Sequence, residues 1–213
     1  TSDRDLDIVL FGATGFTGAL TAGYLAEHAP DGLRWALAGR SRARLADVRD
    51  RLGPGHADLP LLQADVSDPA SLAALAGRAR VVITTVGPFL EHGEPLVAAC
   101  ADAGTDYLDL TGEPEFVDRM YVAHHATAVR TGARLVHAAG FDSVPHDLGV
   151  LHLVRELERT GPVTEPLEVR GVVRTGAALS GGTFHSALGQ FSRPRQLAEV
   201  AKTRRRVEPR PDG

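Results

Sequence analysis

Between Asp7 and Ala139 the chain repeats one pattern: a short unbroken apolar run, then an amphipathic stretch, then the next run. No other feature of the sequence restricts the fold as strongly. Strand candidates are Asp7–Phe11, Trp35–Ala38, Leu61–Ala64, Val81–Thr85, Tyr107–Leu110 and Arg134–His137. Helix candidates Phe16–His28, Ala43–Leu52, Pro69–Ala76, Glu94–Ala103 and Glu115–Thr131 lie between them. The runs are continuous rather than alternating, as expected for strands buried on both faces. Strand–helix–strand repetition calls for right-handed crossovers and a parallel sheet. The expected class is therefore α/β, a doubly wound parallel sheet of the Rossmann type over residues 1–140. Residues 141–213 read as the incomplete start of a second mixed α/β domain.

Local signals agree with these boundaries. Asp68-Pro69 places a capping residue before a proline at the first helical position. Gly104 stands where helices stop. After Gly140 the rhythm changes: a helix is expected over Pro145–Arg159, a strand over 167–174, and a helix from Thr183 towards Lys202. With 43% hydrophobic and 23% charged residues, the composition is that of an ordinary soluble domain. A net charge of −4 argues against general affinity for nucleic acid. Cys100 is the one cysteine and lies in the apolar stretch LVAACADAG, which excludes an internal disulfide framework and a cysteine-rich metal site. No apolar run reaches the ~18 residues of a membrane span, and a cytoplasmic location is expected. The start at Thr1 and the stop at Gly213, just after KTRRRVEPRPDG, read as a piece cut from a longer chain.

The first run ends in IVLFGATGFTG, with glycines at 12, 15 and 18. At a strand-to-helix junction the first N–H groups of the helix lack partners and the helix dipole adds partial positive charge, so a diphosphate fits there. Gly12 permits the tight turn, Gly15 the close approach and Gly18 the packing of helix on sheet. Thr14 and Thr17 can add hydroxyl donors, and Phe16 belongs to the same turn. The alternative is a glycine-lined turn without a ligand. The second run ends in AGRSRARL, where an NAD site carries an acidic residue. Here Arg40 is the first candidate to hold a 2′-phosphate, supported by Ser41 and Arg44, because a guanidinium grips phosphate with paired N–H bonds. The expected cofactor is NADP(H). Asp65 and Val66, at the third strand's end, are candidates for contact with adenine, although Asp65 can equally cap the next helix. Thr85, Val86, Gly87 and Pro88, after the fourth strand, are expected beside the nicotinamide half.

VLFGATGFTG, LAGRS, TTVGPFLEHGEPLVAACADAGTDYLDLTGE and GFDSVPHDLG together resemble the saccharopine-dehydrogenase-like oxidoreductases. Within them the sequence is similar to the trans-acting enoyl reductases of bacterial lipid and polyketide assembly. The resemblance runs to about residue 190, and YLDLTGE and GFDSVPHDLG are its most specific parts. It implies an NADP(H)-binding Rossmann domain followed by a second α/β domain, in chains considerably longer than this one. It also implies an enoyl or related unsaturated acyl substrate, either a free small molecule or carrier-bound.

Enoyl reduction needs a hydride at one carbon, a donor for the enolate and a proton for the neighbouring carbon. Tyr107, Asp109, Thr111 and Glu113 at the fifth strand's end, and Phe141, Asp142, Ser143 and His146 after the sixth, are the polar and aromatic residues placed for this, with Tyr107, Glu113, Asp142 and His146 the first candidates. Each also has a structural reading, as a cap or loop anchor. The single lysine, Lys202, rules out a Tyr-x-x-x-Lys pair of the short-chain dehydrogenase type. Adjacent His124 and His125 diverge on a helix, so no metal site is expected. SGGTFH (180–185) is a second glycine-rich helix entry, able to hold a substrate oxygen or to remain an unliganded turn. KTRRR (202–206) reads as a solvated helix end, or as a docking face for an acidic carrier protein. Two other functions compete: an amino-acid or imine oxidoreductase of the saccharopine type, and an NADP(H)-binding redox sensor without turnover. A homodimer is one assembly open to such a chain.

Overall fold

In the computed structural model, the structure describes residues 4–163, 165–174, 176 and 192–208. Six strands form one parallel sheet: β1 (Leu6–Phe11), β2 (Trp35–Gly39), β3 (Leu61–Gln63), β4 (Ala79–Thr84), β5 (Asp106–Asp109) and β6 (Leu135–Val136). Their order across the sheet is β3-β2-β1-β4-β5-β6. The chain thus winds outward from β1 twice, in opposite directions, and leaves a crevice where β1 and β4 lie side by side.

The helices are α1 (Phe16–His28), α2 (Arg42–Arg51), α3 (Pro69–Arg78), α4 (Phe89–His92), α5 (Glu94–Ala103), α6 (Pro114–Thr131), α7 (Val144–Glu158) and α8 (Pro194–Val207). Local chemistry sets several of their ends. The Asp68 carboxylate accepts from the Ala70 and Ser71 N–H groups and starts α3. Gly104 and Gly132 adopt left-handed backbone and stop α5 and α6. α4 was not legible in the sequence, because four residues between Pro88 and Gly93 are too few to show a helical period.

Each face of the sheet has its own core. On one face Leu10, Leu37, Leu45 and Val48 pack beneath α1 and α2. On the other, Val9, Val82, Leu72, Leu96, Tyr107 and Phe116 pack against α3, α5 and α6. Fully burying one such aliphatic side chain contributes about 1.5–3 kcal/mol.

Beyond Gly140 the expectations hold only in part. α7 forms, but it has no buried residue. Residues 167–174 form no strand, and Val172 is 83% exposed. Among the described residues, no neighbouring strand supplies the ladder bonds that would make β structure of it. Most of the stretch from Thr183 to the start of α8, with all of SGGTFH, lies outside the described residues. The basic run is not simply solvated. Arg204 pairs with Asp118 at 2.8 Å and lies over the Tyr121 ring, 4.7 Å from its centre. Arg193 reaches the buried Glu115 at 3.1 Å. These contacts dock α8 on α6 and leave Lys202, Arg205 and Arg206 exposed.

Candidate functional site

The site builds from the junction of β1 and α1. Gly12 has φ of +87°, a conformation that disfavours any side chain. Its N–H donates to the Ala38 carbonyl at 2.9 Å, tying the turn to the end of β2. On the other side Thr85 donates through its N–H to the Phe11 carbonyl at 3.0 Å and through its hydroxyl to the Gly12 carbonyl at 3.1 Å. The turn is thus clamped between the ends of β2 and β4.

The three glycines answer to different constraints. A Cβ on Gly12 would stand 2.7 Å from Val86 Cγ2, and one on Gly18 would stand 2.1 Å from the Gly12 carbonyl oxygen. Both are demanded by the fold. Gly15 is not: its backbone is extended, with φ of −80° and ψ of 170°, and a Cβ there meets only the Gly12 oxygen at 3.4 Å, an ordinary contact. Gly15 is exposed and stands at the N-cap of α1, where Ser or Asp would have capped the first turn. The helix begins with neither a side-chain cap nor an acidic first-turn residue. Open space and uncapped N–H groups are what an anion needs at a helix start. Thr14 is half-buried, and Phe16 and Thr17 are exposed at the same rim.

Arg40 follows two residues after Ala38, so it stands beside this turn. Arg40 and Arg44 are exposed, and neither guanidinium makes a hydrogen bond or ion pair with a described residue. Ser41 caps α2 by accepting from the Arg44 N–H at 3.4 Å. The Gln63 amide donates to the Arg40 carbonyl at 3.2 Å, joining the ends of β2 and β3. Asp65 does not cap α3, a task that falls to Asp68. Its Oδ1 accepts from the Ser67 N–H at 2.9 Å and the Ser67 hydroxyl at 2.7 Å. Those bonds, the backbone one first, hold its carboxyl below the usual carboxylate range, with a smaller contribution from the Arg40 charge. Val66 packs partly against the core.

The β4 loop carries Thr85, Val86, Gly87 and Pro88. The Gly87-Pro88 peptide is cis, and Thr84 Oγ1 accepts from the Val86 N–H at 3.2 Å. Gly87 is exposed and Pro88 half-buried.

The four residues expected to serve chemistry divide into two pairs. Tyr107 is 0% exposed in the core, and no edge of it is open to a substrate. Burial, then the negative charge of Asp109, pushes its hydroxyl well above the ordinary tyrosine value. Glu113 is 4% exposed. Its Oε1 accepts from the Phe89 N–H at 3.1 Å and its Oε2 from the Leu90 N–H at 2.8 Å, so it anchors a loop. Asp142 and His146 are exposed. A Cβ on Gly140 would stand 3.2 Å from Asp142 Oδ1 and one on Gly112 3.5 Å from Oδ2. The carboxylate therefore lies where the loops after β5 and β6 converge. Neither Asp142 nor Ser143 caps α7. The His146 ring packs edge-on against Phe141, 5.9 Å between centres.

The sequence marks Asp109 as a candidate but does not show its partner. Asp109 and His137, at the ends of neighbouring strands, meet through Oδ2 and Nδ1 at 2.7 Å. The other oxygen of Asp109 accepts from the Thr111 and Ala138 N–H groups at 3.0 Å each. A signal existed: the parallel register pairs Tyr107 with Leu135 and Leu108 with Val136, so the next step sets Asp109 beside His137. His124 and His125 do diverge. The first faces Glu94 at 3.6 Å, and the second stacks on Tyr121 at 4.4 Å.

Comparison with known proteins adds to this geometry. Residues 8–137 match the model of the saccharopine dehydrogenase NADP binding domain. The chain is 55% identical over 164 residues to a trans-acting enoyl reductase of Mycobacterium leprae, covering 76% of this chain and 39% of that one. It is 55% identical over 160 residues to a trans-acting enoyl reductase of Mycobacterium tuberculosis, covering 75% of this chain and 38% of that one. The chain thus spans less than half the length of these relatives. Among solved structures, apo saccharopine dehydrogenase (L-Glu forming) from Saccharomyces cerevisiae superposes with a TM-score of 0.57 at 19% identity, covering 72% of this chain and 32% of that one. That likeness concerns the fold.

Proposed function

Because this chain belongs to the saccharopine dehydrogenase NADP binding domain family, we propose that it is the nucleotide-holding part of an NADP(H)-dependent enoyl reductase. The observation that carries the cofactor reading is Gly15, a glycine that packing does not require, at an uncapped helix start. In this reading the diphosphate lies against Gly12, Thr14, Gly15, Phe16, Thr17 and Gly18. Arg40, with Ser41 and Arg44, selects the 2′-phosphate; that neither the Arg40 nor the Arg44 guanidinium pairs with a carboxylate among the described residues supports that role. Asp65 and Val66 border the adenine, and Thr85–Pro88 border the nicotinamide half. The enoyl substrate is taken from the names of the relatives, which are 55% identical to this chain over 164 and 160 aligned residues.

When bound, the nicotinamide supplies or accepts a hydride. Asp142 and His146, open at the β6 end, are the side chains we assign to holding or moving the proton at the neighbouring carbon. Tyr107 packs in the core, and Glu113 anchors the start of α4. A domain boundary near residue 140 is supported by the lack of any buried residue in α7, although α8 packs back on α6. No helix among the described residues is long and apolar enough to cross a membrane.

The test is a fluorescence titration of NADPH and NADH, before and after Arg40→Ala. NADPH is expected to bind more tightly, and the substitution to reduce that preference about tenfold or more, as for a lost charge-assisted bond. Equal affinity for the two nucleotides in the unsubstituted chain would sink the proposal. Oxidation of NADPH by the full-length protein with an enoyl thioester tests the reaction itself.

A further inference from the structure

The loop after β4 is held in place by a residue far from it in sequence. Glu113 comes from the loop between β5 and α6, yet both its oxygens accept N–H groups of Phe89 and Leu90. It belongs to a longer chain of bonds. Its own N–H donates to Thr111 Oγ1 at 3.1 Å, the Thr111 N–H donates to Asp109 Oδ1 at 3.0 Å, and Asp109 Oδ2 meets His137. In the other direction, Phe89 follows directly from Thr85–Pro88, and Thr85 and Val86 abut Gly12. Phe89 itself packs on Phe116, 5.8 Å between ring centres.

We infer that Glu113 is a positioning residue for the half of the nucleotide site built on β4–β6: its carboxylate fixes the first two N–H groups of α4 and, through them, the Thr85–Pro88 segment that leads into it. A carboxylate suits this place because it offers an acceptor to each of two N–H donors, and charge strengthens both bonds. A Gln has one oxygen and would turn its NH2 towards the second donor. In a doubly wound sheet the dinucleotide spans two mononucleotide halves, β1–β3 holding one and β4–β6 the other. Glu113 therefore governs only the second half. This rests on reading the crevice as an NADP(H) site.

Two ligands separate the halves: NADPH, which spans both, and adenosine 2′,5′-bisphosphate, which occupies the first alone. Both are titrated calorimetrically into the chain and into Glu113→Gln and Glu113→Ala, with thermal melting as the control for folding. The bisphosphate affinity is expected to stay within about twofold, while NADPH weakens by about tenfold in Glu113→Ala and by less in Glu113→Gln, as for unsatisfied backbone donors. If Glu113→Ala does not fold, Glu113→Gln alone decides. Equal weakening of the two ligands, unchanged NADPH affinity, or loss of folding in both variants would overturn the positioning role. Failure of the unsubstituted chain to bind either ligand would instead overturn the NADP(H) reading on which it stands.

Discussion

Adding one methyl group to the glycine turn, at two positions three residues apart, should give opposite results. At Gly18 the new Cβ would lie 2.1 Å from the Gly12 oxygen, 2.8 Å from the Gly12 carbonyl carbon and 2.9 Å from Ala13 Cα. All three are backbone atoms, so no side chain can swing away. Relief requires α1 to move off the sheet, and overpacking of this kind costs about 3 kcal/mol or more. At Gly15 the nearest atom is at 3.4 Å and the backbone suits any residue. The cost there is that of a poorer N-cap, about 1 kcal/mol or less. For a chain of this size, about 2–4 °C of Tm corresponds to each kcal/mol. Gly18→Ala should then melt about 6–12 °C lower and Gly15→Ala no more than about 4 °C lower. Nucleotide binding should follow a different order. The folded Gly15→Ala chain should lose about ten- to a hundredfold in NADPH affinity, because its methyl group occupies the path of the diphosphate. Differential scanning fluorimetry and NADPH fluorescence read the two effects on the same samples. If Gly15→Ala melts as low as Gly18→Ala, or binds NADPH as well as the unsubstituted chain, Gly15 is not kept for a ligand.

Other consequences are as direct. Burial of Cys100 pushes its thiol up to about 12, so a thiol reagent at pH 8 should leave it unlabelled in the folded chain and label it fully in denaturant. Asp109→Ala leaves the Thr111 and Ala138 N–H groups and the His137 imidazole without their acceptor. It should cost about 3 kcal/mol, or about 6–12 °C in Tm. At Asp7, bonds from the Arg34 side chain and then its backbone N–H hold the carboxyl at about 2, below its ordinary value of 3.8. A carboxylate with a lowered folded-state pKa adds stability above its unfolded value and loses it as pH falls through the folded one. The stability difference between the chain and Asp7→Asn, from urea melts, should be constant at neutral pH and vanish between about pH 4 and 2. A difference that grows on acidification would contradict the pairing.

Much of this protein is local, and local features are legible. Short continuous apolar runs gave the strands of the sheet within a residue or two, because burial on both faces leaves no choice of composition. The glycine turn between β1 and α1, and the place of Arg40 just after β2, could be located because a strand, a turn and a helix start are formed by consecutive residues. What the sequence could not show was which partner each polar group meets across the sheet. YLDLTGE displays Tyr107 and Glu113 as equally plausible reagents, yet one faces the core and the other binds N–H groups more than twenty residues away. KTRRR looks solvated until α8 docks Arg204 on Asp118 and Tyr121. Residues 167–174 have the composition of a strand, but β pairing is a property of two segments, and no partner strand stands beside this one among the described residues. Sequence alone therefore determined the order of the elements and the position of the glycine turn, since these depend on neighbours along the chain. Only the tertiary structure decided which carboxylate is exposed and which holds a loop, since that depends on neighbours in space.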